Sequence, residues 1–148
     1  MSDLADLYQQ IVLDHGTSPR NFGEMDDADR DAEGFNPLCG DRVHVLLKMN
    51  NGSIEHAKFT GKACAICTAS ASMMTQEIAG IDARRAAELI EEFRNALSAD
   101  ASNQDELPMR LKALLGVRRF PMRVKCATLP WHTLAAALKQ ETKPVTTE

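Results

Sequence analysis

The run from Arg42 to Thr60 leaves few folds open to this chain. Val43, Val45, Leu47 and Met49 alternate with Arg42, His44 and Lys48, the period of a half-buried strand. Asn50-Asn51-Gly52 follows, and Asn and Gly tolerate the positive φ that tight hairpin turns require. Ile54 to Thr60 supplies the returning strand, with Ala57 and Phe59 facing inward. Whatever lies just outside the open ends of such a hairpin is brought together. On one side that is Asn36-Pro37-Leu38-Cys39-Gly40-Asp41, and on the other Gly61-Lys62-Ala63-Cys64. The ends of an antiparallel pair are neighbours, so Cys39, Asp41 and Cys64 converge by local topology alone.

The flanking segments read as helices. Leu4, Leu7, Tyr8, Ile11 and Val12 recur at steps of three and four, which predicts a helix over Ser2 to Asp14, capped by Ser2 or Asp3 and ended by Gly16. His15 then lies in the last turn, where a positive imidazole would face free carbonyls. Pro19 to Gly23 is turn material, and the acidic run Glu24 to Glu33 reads as a solvated connector with one short strand at its end. Ala65 to Ala79 reads as a helix stopped by Gly80. Asp82 caps another through Ala96, with Ala86, Leu89, Ile90, Phe93 and Leu97 on its apolar face. Ser98 to Glu106 is a polar loop by composition. Leu107, Leu111, Leu114 and Leu115 mark a short helix ending near Gly116, and a turn at Pro121 precedes a last helix over Lys125 to Leu138. Proline is best tolerated in a helix's first turn, so Pro130 places that helix's start close to Cys126.

With 148 residues and 44% hydrophobic content, the expectation is one domain spanning 1–148. A formal net charge of -4 gives no basic surface for a phosphate backbone, so nucleic acid is not an expected partner. Asp3, Asp6 and Asp14 break any basic leader, and runs such as Ala135-Ala136-Ala137-Leu138 are far too short to cross a bilayer. A cytoplasmic protein with no membrane association is expected. In that compartment four cysteines read as metal ligands or reactive thiols rather than a disulfide framework.

Cys126 sits in Arg123-Val124-Lys125-Cys126-Ala127-Thr128-Leu129. Together with Cys39, Asp41 and Cys64 it completes three thiols and a carboxylate, a set that suits tetrahedral zinc or an iron-sulfur cluster alike. The donors come singly from three places instead of in two Cys-x-x-Cys knuckles, as a site built to exchange a ligand would have them. Cys64 and Cys126 each precede a predicted helix, whose free amides favour thiolates. Arg123 and Lys125 stand ready to offset the negative charge of the set. Cys67, Ala71, Met74 and Ile78 form one helical stripe, which reads Cys67 as a small buried hydrophobe, with redox partner and extra ligand as the alternatives. Met73 and Met74 read as core, and His44, His56 and His132 have no ligand spacing.

Four segments carry a resemblance: Leu13-Asp14-His15 with Ser18-Pro19-Arg20-Asn21; Asn36 to Asp41; Cys64-Ala65-Ile66 running into Ala69-Ser70-Ala71-Ser72-Met73-Met74; and Arg123 to Leu129. In this order they resemble the U-type iron-sulfur cluster assembly proteins related to NifU, most of all their SufU branch, over nearly the whole chain. The resemblance implies an α+β fold, a small antiparallel β-sheet with helices packed on one side. It implies that Cys39, Asp41, Cys64 and Cys126 bind zinc and that Cys39 accepts persulfide sulfur from a PLP-dependent cysteine desulfurase of the SufS type. The IscU branch, whose members build a two-iron (2Fe-2S) cluster, carries a histidine directly before the last cysteine, where this chain has Lys125. About Leu97 to Arg119 also resembles the SufU insertion, and Phe120 to Lys125 matches the motif for a dedicated Hsp70 chaperone only faintly. Ala63 stands where the family usually has glycine, and Cys67 where serine is common. The expected function is therefore zinc-dependent sulfur transfer in iron-sulfur assembly. A 2Fe-2S scaffold is the alternative, and a purely structural zinc is a third reading.

Overall fold

A computed structural model describes residues 3–98, 107–141 and 143–146. Helix α1 (Asp3–Thr17) leads through a turn to β1 (Arg30–Asn36), β2 (Asp41–Asn50) and β3 (Ser53–Lys62). Helices α2 (Ala65–Ile78) and α3 (Ala83–Ala96) follow, then a 3-10 helix (Leu111–Arg119), α4 (Pro121–Leu138) and the two-residue strand β4 (Val145–Thr146). The Ser2 cap, and the Ser98 to Glu106 loop beyond Ser98, lie outside the described residues.

The sheet order is β3-β2-β1-β4. β1, β2 and β3 are antiparallel, and only β4 runs parallel to its neighbour β1. The hairpin turns as the sequence requires, with positive φ at Asn51 (52°) and Gly52 (83°). Helix α4 crosses β1 and β2, α2 covers β3, and α1 and α3 pack on α2 and α4 respectively. Val45, Leu47, Ile54 and Ala57 from the sheet meet Met73, Met74 and Ile78 of α2, Phe93 of α3, and Trp131 and Leu134 of α4. Phe93 and Trp131 stack at 4.5 Å, and the Trp131 indole N–H donates to Ser70 Oγ at 3.0 Å. That tie fixes α4 against α2, the two helices that carry thiols. Among the described residues no helix is long and apolar enough to cross a membrane.

Three elements depart from the sequence reading. β1 is no brief appendix to an acidic connector but a seven-residue strand running to Asn36, whose inward positions are Ala32, Gly34 and Asn36. Its apolar alternation is hidden because α4 lies too close for larger side chains: a Cβ on Gly34 would stand only 2.0 Å from Thr133 Oγ1. The segment after Leu107 is 3-10 and passes through Gly116 to Arg119, burying Leu111, Ala113, Leu114 and Val117. The last helix begins at Pro121, not near Lys125, so Pro130 is interior and its missing N–H leaves the Cys126 carbonyl without the usual i+4 donor. The run Cys126 to Trp131, buried throughout, outweighs that cost. Cys126 therefore lies in the second turn of α4 and not at its start.

His15 is also corrected. It is 6% exposed, and its Nδ1 lies 2.7 Å from Ser72 Oγ, which in turn accepts the Arg20 backbone N–H at 2.8 Å. Burial, then the charge of Arg20, pushes its pKa below the ordinary value; Asp14 opposes and Arg110 adds to the fall. The neutral ring is thereby favoured, and its contact with Ser72 pins α1 to α2, where a cation over helix-end carbonyls is the expectation.

Gly34→Ala is expected to cost about 1–3 kcal/mol of stability in urea unfolding, as overpacking does. Adding Thr133→Ala should recover part of it, because the obstructing oxygen is gone; strict additivity would contradict the contact. Because the folded pKa of His15 is lowered, the unfolded chain binds the extra proton as pH falls through about 6.5, and the stability that the neutral ring contributes is lost. The gap in urea midpoint between wild type and His15→Gln should be widest at high pH and narrow below that point. A pH-independent gap would show that the ring is not held neutral.

Candidate metal centre

Asn36 and Asp41 face each other across β1 and β2, and the four residues between them make the turn that presents Cys39. The turn is internally tied: Asn36 Oδ1 accepts the Leu38 N–H at 3.1 Å, and the Asn36 carbonyl accepts the N–H groups of Cys39 (3.2 Å) and Gly40 (2.8 Å). Gly40 takes φ of 75°, a conformation that costs a side-chain-bearing residue. Asn36 is fully buried and points its amide at Cys126 Sγ, 4.0 Å away. In the sequence, Asn36 is marked only by the motif it opens and by Asn-Pro, with its bias to side-chain-closed turns.

At the other end of the hairpin, Arg42 pairs with Lys62, which brings the start of α2 beside the start of β2. Asp41 Oδ1 accepts the Cys64 N–H at 2.8 Å, and Oδ2 lies 3.6 Å from Cys64 Sγ. Cys64 is the N-cap of α2, its sulfur accepting the Cys67 N–H at 3.4 Å. Ala63 needs no positive φ; the strained glycine is Gly61, at 143°, where a Cβ would run into the backbone of β2. Alanine in place of the family's glycine is therefore unstrained.

From the third direction α4 delivers Cys126, whose Sγ lies 3.5 Å from that of Cys39. Donor atoms of Cys39, Asp41 and Cys126 all lie within 4.8 Å of one another. Cys64 is outside that mutual group and joins it through Asp41. The short separations, 3.5 and 3.6 Å, match the edge of a tetrahedron with metal-sulfur bonds of about 2.3 Å. Asp41 is 2% exposed, and no ion pair among the described residues holds it. A buried carboxylate beside three thiols, without a cationic side chain, is a donor set that suits a metal ion.

The thiols correct an expectation. Burial pushes the Cys126 thiol far up, with Asp41, Cys39 and Cys64 adding to the rise. Cys64 is also raised, by burial first, although the Cys67 N–H pulls it down. The helix amide is present at Cys64, as the N-cap position predicts, but desolvation exceeds it; Cys126 has no helix-start amides at all. A bound cation reverses this logic by favouring the thiolates. Arg123 is exposed, its guanidinium 4.8 Å above the Phe120 ring, and Lys125 is half-buried one residue before Cys126. Cys67 is fully buried with Val43, Cys126 and Leu129 directly beneath the site, and burial raises its thiol pKa. Met73 and Met74 are core. His44 pairs with Asp31, His56 lies 3.9 Å from Glu55, His132 is half-buried, and none of the three is in the donor group.

Residues 7–143 match the family described as NifU-like N terminal domain. A zinc-dependent sulfurtransferase SufU from Bacillus subtilis is 38% identical over 95% of this chain and 95% of its own length. An iron-sulfur cluster assembly scaffold protein IscU from Thermotoga maritima is 37% identical over 93% of this chain and 96% of its own. Among solved structures, one described as a candidate iron-sulfur cluster assembly scaffold protein for the SUF system of Fervidobacterium islandicum superimposes with a TM-score of 0.83 at 30% identity, covering 93% of this chain and 99% of its own.

Cys64 has two separable jobs, cap and donor. Cys64→Ala should cost metal-free protein about 1 kcal/mol in urea unfolding, whereas Cys64→Ser, which can still cap, should cost less. Both should lose metal affinity in a competition titration with cobalt(II) as the spectroscopic probe. Equal stability of the two variants would contradict the capping role.

Proposed function

Because this chain belongs to the family of NifU-like N terminal domains, we propose that it is a zinc-dependent sulfur acceptor in iron-sulfur cluster assembly, with residues 1–148 acting as one domain. The reading rests on the gathering of Cys39, Asp41 and Cys126 within 4.8 Å, beside Cys64, in a chain alike over 95% of its length to a zinc-dependent sulfurtransferase. Cys39, Asp41, Cys64 and Cys126 are the proposed zinc ligands, and three thiolates with one carboxylate suit that metal. Zinc, when bound, supplies the positive charge that keeps the buried sulfurs as thiolates.

Each residue has its part in the transfer. Cys39 is the acceptor because it alone of the three thiols sits on an exposed turn rather than on a helix or at its cap. Its thiolate attacks the terminal sulfur of a persulfide on a PLP-dependent, SufS-like cysteine desulfurase. The sulfur-sulfur bond of the donor breaks, the desulfurase keeps its thiolate, and Cys39 becomes the persulfide. Asp41 is the oxygen donor that makes the set labile, while holding the Cys64 N–H in either state. Arg123 and Lys125 lend positive charge at the mouth. Leu38, beside Cys39, and Met122, one turn before Cys126, are exposed apolar side chains available to the partner.

A second reading, a scaffold for a 2Fe-2S cluster, is favoured by the relatives named as IscU scaffolds and uses the same cysteines. Lys125 weighs against it, since a protonated amine offers no lone pair to iron.

With desulfurase and cysteine, the wild type should gain the mass of one sulfur and Cys39→Ala should gain none, while the desulfurase's own persulfide forms as before. Acceptance by the variant would remove Cys39 from its role. The purified chain should hold close to one zinc and resist reconstitution with iron and sulfide; a stable visible chromophore would favour the scaffold instead. Chelation should abolish acceptance but leave native circular dichroism, whereas unfolding would make the zinc structural.

A further inference from the structure

The four proposed ligands leave one thiol unexplained. Cys67 is fully buried, with Val43, Cys126 and Leu129 around it, so reagents in solvent do not reach it. The thiol nearest to it in sequence caps its own helix. Cys64 is exposed, caps the same helix, and has its sulfur 3.4 Å from the Cys67 backbone nitrogen. Residues three apart on a helical turn are separated by about 5 Å between Cα atoms, within the range that a disulfide needs. An exposed N-cap thiol followed three residues later by a shielded one is the arrangement of a dithiol that attacks with the first sulfur and resolves with the second.

We propose that Cys64 and Cys67 form a resolving dithiol that reduces the sulfane sulfur carried on Cys39 and releases it as hydrosulfide. This rests on the sulfur-acceptor reading above. The Cys64 thiolate, giving up its place as a ligand, attacks Sγ of the Cys39 persulfide, the sulfur-sulfur bond breaks, and hydrosulfide leaves as a Cys39–Cys64 disulfide forms. Cys67 then attacks Cys64 Sγ, and its proton goes to the departing Cys39 sulfur. In sum the Cys39 persulfide and two thiols give the Cys39 thiol, the Cys64–Cys67 disulfide and hydrogen sulfide. The two thiols lose two electrons and the sulfane sulfur gains them. An external dithiol reopens the pair for another cycle. The chain thus delivers sulfide, the oxidation state found in an iron-sulfur cluster, with its own electrons.

The test loads the full-length, zinc-containing chain in two ways, with desulfurase and cysteine or with inorganic polysulfide, then removes excess sulfur and all added thiol. Wild type should release one equivalent of hydrosulfide, trapped with a bimane reagent, and the tryptic peptide Ala63 to Arg84 should become lighter by two hydrogens. Cys67→Ser should load sulfur, release hydrosulfide only when dithiothreitol is added, and accumulate the Cys39–Cys64 disulfide; Cys67→Ala serves as the second variant. Equal release without dithiol by these variants, or a Cys39–Cys126 disulfide in wild type, would overturn the proposal. Polysulfide-loaded chain that releases hydrosulfide through the pair, when the desulfurase loads none, would uphold the dithiol and refute the acceptor reading.

Discussion

The bond from the Cys64 N–H to Asp41 Oδ1, 2.8 Å long, joins the beginning of β2 to the beginning of α2 at the point where the sheet gives way to helices. It buries a carboxylate that no ion pair among the described residues holds, which a fold accepts only when other donors or a metal ion satisfy the charge. Burial raises the thiol pKa of Cys126 and Cys64 beside that carboxylate, and a bound cation would favour their thiolates. The hairpin has to end where it does for this to happen. The positive φ at Gly61 lets the chain pass close over the backbone of β2 and turn into the helix cap.

The other half of the site depends on how near α4 comes to β1. Small inward residues on β1 let the helix lie against the strand, and Trp131, stacked on Phe93 and bonded to Ser70, locks its rotation relative to α2. Cys126 then faces the Cys39 turn, its Sγ 3.5 Å from that of Cys39 and 4.0 Å from the Asn36 amide. Cys39 sits on a short turn held by Asn36, whereas Cys64 caps α2 and Cys126 lies within α4.

Much of this was legible in the chain because the hairpin is a local structure. Alternation from Val43 to Met49, Asn51-Gly52 and the capped pattern after Asp82 each depend on neighbours in sequence, and all were found where expected. The sequence hides the length of β1 because its inward face carries alanine, glycine and asparagine, which suit a close helix and not a hydrophobic pattern. It hides the start of α4 because the local cost of Pro130 is visible and the packing that offsets it is not. His15 is hidden for a like reason: its position in the last turn of α1 is local, whereas its burial against Ser72 is not.

By itself the sequence determined the hairpin, the caps of α2 and α3, and the meeting of Asp41 with Cys64, since strand period and turn chemistry act over a few residues. Only the tertiary structure decided where Cys126 falls along α4, that burial and not the helix end governs its thiol, and that Cys67 lies sealed beneath the site and beside the Cys64 cap. Those outcomes depend on the distance between a helix and a strand far apart in the chain, and that distance is set by how their side chains fill the space between them.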